Sequence, residues 1–216
     1  MSSNAAGFIR ANTAIGTPPL VPEIRLHLAS EVTPLWYATE ATLEKTQLPP
    51  PYWAFAWPGG QALARYILDH PDLVEGKAVL DFGAGSGLVA IAAMKAGAQA
   101  VTAAEIDPFA TAAIALNAAL NEADVATLCE DVIGRAPAPW QTILVGDMCY
   151  ERPLAERLTE WLRALARGGA TVLLGDPGRT YLPKSGLSAI ARYTVPTSLD
   201  LEDRTSREGI VWRLEA

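Results

Sequence analysis

Val79-Leu80-Asp81-Phe82-Gly83-Ala84-Gly85-Ser86-Gly87 decides how this chain folds. An apolar run opening at Ala78 ends in Asp81. Three glycines follow at alternate positions, and an alanine-rich apolar segment, Leu88 to Ala96, begins at once. The order strand, tight turn, helix is that of the first βα unit in a nucleotide-binding sheet. Glycine allows the sharp turn and leaves no Cβ in the way of a ligand.

The spacing also bears on the ligand. A dinucleotide fold uses G-x-G-x-x-G with the pyrophosphate at the helix N-terminus. Here it is G-x-G-x-G, and Leu88 stands where that fingerprint has its third glycine. Asp81 precedes the first glycine by two residues. A carboxylate beside the loop would repel a pyrophosphate and attract an ammonium group. S-adenosylmethionine carries an ammonium, a sulfonium and no phosphate, so the pattern favours it. A second acid supports this reading. Ala100-Val-Thr-Ala-Ala-Glu105 reads as the next strand, with Glu105 at its C-terminal end, 20 residues beyond Gly85. That separation suits a carboxylate accepting from the ribose hydroxyls. Asp107, followed by Pro108, is assigned instead to the N-cap of a helix over 108–120.

The 216 residues are enough for one α/β domain with a short extension, and half of them are hydrophobic. Charges interrupt the apolar run from 88 to 125, so no membrane span is expected. Residues 1–19 are small and polar, carry only Arg10 as a charge, and are expected to be a disordered tail without signal-peptide pattern. The two cysteines, Cys129 and Cys149, are expected as buried thiols in a cytoplasmic protein, and with only His27 and His70 no metal site is expected. The net charge is −7 and the basic residues form no run, which argues against nucleic acid and favours a basic protein segment as partner.

The rest of the chain reads as alternating strands and helices. Residues 22–28 look like an edge strand or hairpin arm. Residues 31–58, rich in Pro and aromatics, look like a cap. A helix is expected over Gly59 to Asp69. Strands follow at 77–82, 100–105, 125–129, 141–146, 170–175, 189–196 and 208–215, with helices at 87–96, 108–120 and 153–166. The domain division is therefore a tail over 1–19, an extension or cap over 20–58 and a catalytic domain over 59–216. Ligands of such sheets sit beyond the C-terminal strand ends. There, Asp131 can reach an adenine amino group or simply open a loop. Gly146 lets a cofactor lie against the fourth strand, and Asp147 and Tyr150 then face the reacting centre.

Asp147-Met-Cys-Tyr150 matches the D-x-x-Y signature of the seven-β-strand methyltransferases of family 16. Pro50-Pro-Tyr-Trp-Ala-Phe-Ala-Trp-Pro-Gly-Gly60 and Gly175-Asp-Pro-Gly-Arg179 are similar to segments of one branch, the lysine methyltransferases of the electron-transfer flavoprotein β subunit. The resemblance covers roughly residues 22–216. It implies an α/β, Rossmann-like seven-stranded sheet with helices on both faces and an N-terminal extension. It implies S-adenosylmethionine as methyl donor, S-adenosylhomocysteine as product, no metal, and the flavoprotein β subunit as substrate. By resemblance Trp57 lies against the cofactor, although it reads equally as a core aromatic. Gly83, Gly85 and Gly87 form the cofactor loop, with Asp81 beside it, Glu105 on the ribose and Gly146 before the D-x-x-Y. Many relatives carry a tryptophan after the third strand, where this chain has Asp131-Val132. Asp176 and Arg179 shape a substrate mouth or make an Asp-Pro-Gly turn held by arginine.

The chemistry asks for a neutral lysine amine. Asp147 would hold and orient it, and Tyr150 with Trp53 would line an aromatic cage. Four rivals stand beside this reading: a methyltransferase of a ribosomal protein or small molecule, an adenine-N6 nucleic-acid methyltransferase, a nicotinamide-dependent oxidoreductase, and a binding module without catalysis. Pro49 replaces the leading Asn or Asp of the adenine-N6 element, and the G-x-G-x-G spacing disfavours nicotinamide.

Overall fold

The computed structural model describes residues 2–29, 50–135, 140–197 and 205–215. Most of the cap expected over 31–58 lies outside the described residues. A seven-stranded sheet runs in the order β5-β4-β3-β6-β7-β9-β8. Its strands are β3 (Ala78–Phe82), β4 (Ala100–Glu105), β5 (Val125–Cys129), β6 (Thr142–Gly146), β7 (Thr171–Asp176), β8 (Leu187–Pro196) and β9 (Ser206–Leu214). The first five are parallel, and β9 enters antiparallel between β7 and β8. The helices are α1 (Ser2–Asn12), α2 (Pro58–Asp69), α3 (Leu88–Lys95), α4 (Pro108–Leu120) and α5 (Arg152–Arg167).

Strand parity builds two cores. Val79, Leu144 and Leu173 point to one face, where they pack with α2 and α3 residues such as Leu63, Ile67 and Ile91. Leu80, Phe82, Ile143, Val145 and Leu174 point to the other and meet Leu158, Trp161 and Leu162 of α5. A parallel sheet covered on both faces needs strands that are apolar throughout, which is why β3, β6 and β7 lack polar alternation.

From residue 2 onward, the disordered tail expected over 1–19 is instead ordered. Over 2–12 the chain forms α1, and β1 (Ala14–Gly16) pairs antiparallel with β2 (Leu26–Leu28). Isolated helices of this length are marginal, so tertiary packing must supply the stability. Ile9 is fully buried in a third cluster with Trp53, Ala54, Ala110 and Ala113, and Phe8 meets the edge of Phe109. The expected hairpin arm is β2, shorter than 22–28.

The two thiols also separate. Cys149 is buried, but Cys129 is exposed, because β5 is an edge strand with only half-covered faces. Among the described residues no helix is long and apolar enough to cross a membrane.

Candidate active site

Strand order reverses between β3 and β6, since β4 continues on one side of β3 and β6 lies on the other. Open α/β sheets bind ligands in the crevice beyond such a switch point. A cavity of about 510 Å³ lies there, well within the range of small-molecule sites. It is lined by Trp53, Trp57, Gly83, Gly85, Glu105, Asp131, Gly146, Asp147, Tyr150 and Arg179. Three sequence-predicted site residues do not line it: Asp81, Gly87 and Asp176.

The glycine loop forms one wall. Gly83 and Gly85 have φ of 65° and 51°, in the region that favours glycine. A Cβ at Gly83 would collide with the Met148 side chain. The Gly85 N–H donates to Glu105 Oε2 at 3.0 Å, and Oε1 accepts from the Ile106 N–H at 2.7 Å. A carboxylate offers about four acceptor sites, so Glu105 can brace the loop and still accept from a ribose. Asp107 caps α4 as expected, accepting from the Phe109 N–H at 2.8 Å, and it also lines the cavity.

Asp81 was expected to face an ammonium group from beside the loop. It shares Val79's face of β3 instead, is 1% exposed, and accepts from the Ala90 N–H at 2.9 Å. Burial pushes its carboxyl up to about 8, offset in part by the Ala90 N–H and reinforced by Glu105. Its work is to cap the first turn of α3 from behind the loop. Gly87 is the α3 N-cap at φ 80°, where a Cβ would press on Ile114. Both hold the loop from outside the cavity.

The opposite wall centres on Asp147. Its backbone is left-handed, at φ 58°, and its N–H donates to the Gly175 carbonyl at 2.8 Å. Oδ2 accepts from the Gly60 N–H in the first turn of α2 at 2.7 Å. Oδ1 accepts from Arg179 Nη2 at 2.9 Å and Nε at 3.3 Å. Burial pushes the Asp147 carboxyl up to about 6; Arg179 opposes this and Asp176 adds to it. The Arg179 guanidinium also stands 5.5 Å from the Trp57 ring centroid, a cation–π distance. Asp176 is buried and makes the turn, accepting from the Gly178 and Arg179 N–H groups at 2.7 Å each.

The ring beside Tyr150 is not the one expected there. Trp53 lines the cavity from the loop side, buried at 3% exposure beneath Ile9 and Ala110. The ring that meets Tyr150 is Tyr52, with centroids 5.6 Å apart, and Tyr52 also meets Trp57 at 5.9 Å. The signal for Tyr52 was present in the same Pro-Pro-Tyr-Trp segment. Asp131 lines the cavity, with Oδ1 accepting from the Ile133 N–H and Oδ2 paired to Arg157 at 2.8 Å. Among the described residues no group of three or more His, Cys, Asp and Glu is placed to hold a metal ion.

Comparison with known proteins fits this geometry. The family model for ribosomal protein L11 methyltransferase matches residues 62–145. In solved structures the fold is shared with a ribosomal protein L11 methylase from Lactobacillus delbrueckii (TM-score 0.52, 21% identity, 75% of this chain and 81% of that one). It is shared too with the magnesium protoporphyrin IX methyltransferase of Synechocystis with bound SAM (TM-score 0.55, 17% identity, 83% and 94%). The electron transfer flavoprotein beta subunit lysine methyltransferase of Xenopus laevis is 41% identical over 96% of this chain and 86% of its own length. The Homo sapiens protein of that name is 38% identical over 95% and 80%. At that identity and coverage, this chain belongs to the electron transfer flavoprotein beta subunit lysine methyltransferase family.

Proposed function

We propose that this enzyme transfers methyl groups from S-adenosylmethionine to lysine side chains of the electron-transfer flavoprotein β subunit. The observation that carries the reading is family membership along nearly the whole chain, together with a buried acid, Asp147, at the cavity. The residues present fit the cofactor. The cavity has a loop without Cβ atoms at Gly83 and Gly85, a carboxylate at Glu105, and the Trp57 ring. When bound, S-adenosylmethionine supplies a sulfonium methyl: the amine lone pair forms the N–C bond, the C–S electron pair goes to sulfur, and S-adenosylhomocysteine is left.

In this reading Gly83, Gly85, Glu105 and Gly146 hold the cofactor, Asp131 lies towards its base, and Trp57 covers it. Asp81 and Gly87 keep the loop in shape. The lysine enters past Tyr52 and Tyr150, whose exposed rings (47% and 42%) can shield a partly methylated ammonium. Asp147 accepts from the amine and orients it. Lysine has an ordinary pKa near 10.4, so a neutral amine at pH 7.4 costs about 4 kcal/mol in water. Positioning beside a sulfonium, away from water, offsets that cost.

The test is methylation of recombinant flavoprotein β subunit with tritiated cofactor, read by mass spectrometry. Label on lysine that is lost with Asp147→Ala is the expected result. Label confined to RNA, or none on the β subunit under conditions where the protein binds S-adenosylhomocysteine, overturns the assignment.

A further inference from the structure

Asp147 is where the described site carries a feature the D-x-x-Y signature does not explain. Both of its carboxylate oxygens are already engaged, one by the Gly60 N–H and the other by Arg179. The acid is 7% exposed, and its partner guanidinium lies in the same cavity, between it and the Trp57 face. An acid meant only to attract a cationic lysine would not arrive with a cation already in place.

We infer that Arg179 is a positioning residue that keeps the Asp147 carboxylate ionised and charge-balanced where it meets the substrate amine. The inference rests on the lysine reading given above. An isolated carboxylate next to the amine would stabilise the ammonium form, which cannot attack. A carboxylate paired with a guanidinium presents an acceptor oxygen but little net charge, so it orients the amine without holding the proton on it. The guanidinium has a second effect in the same direction, since like charge disfavours ammonium nearby.

The surroundings make Asp147 depend on this pairing. Among the described residues, the other charged or titratable groups at the carboxyl are Asp176 at the end of β7 and the Cys149 thiol two residues on, while α2 contributes the Gly60 amide. Across the cavity stand Glu105, Asp107, Glu130, Asp131, Tyr150 and Glu151, with Arg157 paired to Asp131. Among the described residues, Arg179 is the cation in contact with the Asp147 carboxylate. Burial and Asp176 push the carboxyl up, and Arg179 is the largest influence pulling it back. The guanidinium is itself held, by the turn that Asp176 makes through its Arg179 N–H contact and by the Trp57 ring.

Removing Arg179 raises the Asp147 titration above its present position near 6. A larger share of the carboxyl is then protonated at neutral pH, and that share cannot take the role of acceptor anion. Where the carboxyl does ionise, at higher pH, it is unbalanced and raises the titration of the amine. Both effects move the acid limb of the pH–rate profile upward.

The experiment uses Arg179→Gln and Arg179→Lys in the full-length enzyme. Carbon-13 NMR of aspartate carboxyls, assigned with Asp147→Asn, follows the Asp147 midpoint with S-adenosylhomocysteine bound and no protein substrate. The acid limb of kcat/KM is measured on flavoprotein β subunit. In Arg179→Gln the midpoint and the limb should both rise by about 1–3 pH units. Arg179→Lys should keep most of the midpoint, because it keeps the charge. A Gln variant that binds S-adenosylhomocysteine but leaves the midpoint unchanged overturns the inference. So does a Lys variant that shifts the midpoint as far as Gln. If Arg179→Gln does not fold, Arg179→Lys decides alone: a midpoint raised by more than about 1 pH unit despite the retained charge overturns the inference. The NMR arm needs no substrate, so failure of the lysine reading would show as absent methylation by the wild type and would not be confused with failure of this one.

Discussion

Gly59 in the first turn of α2 and Gly175 near the end of β7 meet backbone to backbone. A Cβ on either would collide with the other's carbonyl oxygen. The same Cβ on Gly59 would stand 2.7 Å from Asp147 Oδ2. This contact is what brings the Gly60 N–H onto the Asp147 carboxylate, so two glycines far apart in sequence set the position of the acid. The Asp147 N–H is tied to the same Gly175 carbonyl.

Gly59→Ala should therefore be costly. Backbone has to move, at about 1–3 kcal/mol for an overpacked site, and Asp147 moves with it. Turnover should fall more than melting temperature alone would suggest. Gly60→Ala is the contrast: a Cβ there meets only Asp147 Oδ2, at 3.9 Å. Gly60 is half-buried but has room for a methyl group, so alanine at this helical position should be neutral or stabilise slightly. Thermal melts and methylation assays on the pair check this, and equal melting of the two variants would contradict the packing argument.

Asp81 predicts a pH dependence of stability. Its folded titration, near 8, lies above the ordinary 3.8 of an exposed aspartate. Between those values the folded protein binds the proton more tightly than the unfolded chain. The contribution is then fully present below about pH 4 and is lost as pH rises through 8. Asp81→Asn removes that titration and keeps an oxygen for the Ala90 N–H. Across pH 5–8 the wild type should lose up to about 1.4 kcal/mol per pH unit relative to the variant. Parallel denaturation midpoints over that window would show Asp81 to be ionised in the fold.

The behaviour of these residues marks what was readable from sequence. Glu105 and Gly85 are legible as cavity residues, because strand, loop and strand fix their separation, while the hydrogen bond between them is a contact the spacing did not announce. Asp147 and Tyr150 are legible because they sit at a strand end, where the cavity must be. Asp81 lies away from the cavity: proximity to the loop in sequence says nothing about which sheet face a side chain takes. Parity with Val79 carries that information. Tyr52 has no role expected from sequence, yet it is the ring that meets Tyr150, one step along a short 3-10 helix, Tyr52–Ala54, from the Trp53 expected there. The Gly59–Gly175 and Asp147–Gly60 contacts join distant elements and leave no local trace. For α1, composition pointed to disorder, and one buried isoleucine with its partners on α4 outweighed it.

The cysteines give a chemical check. Burial and the nearby acids Asp176 and Asp147 push the Cys149 thiol up to about 12, so almost none is thiolate at neutral pH. Cys129 is exposed on the edge strand. Iodoacetamide at pH 8 should modify Cys129 alone in the native protein and both thiols after unfolding. Peptide mapping that finds Cys149 alkylated at a similar native rate would mean that the β6 end of the sheet opens readily.

Ile9 tests whether α1 belongs to the site or merely decorates it. Its side chain is fully buried against Trp53 and against Ala110 and Ala113 of α4. Trp53 and Ala110 both line the cavity, on the side of the glycine loop. Ile9→Ala removes buried methyl groups and should cost about 2–4 kcal/mol. The space it leaves lies directly behind the cavity wall, so Trp53 gains freedom that a ligand must then take away. S-adenosylhomocysteine should bind several-fold more weakly, while kcat at saturating cofactor stays near wild type, because Asp147 and Arg179 stand on the opposite wall. Calorimetry and saturation kinetics on the one variant separate these outcomes. An unchanged Kd with the expected loss of stability would show α1 to be a brace for α4 alone, with no mechanical link to the pocket.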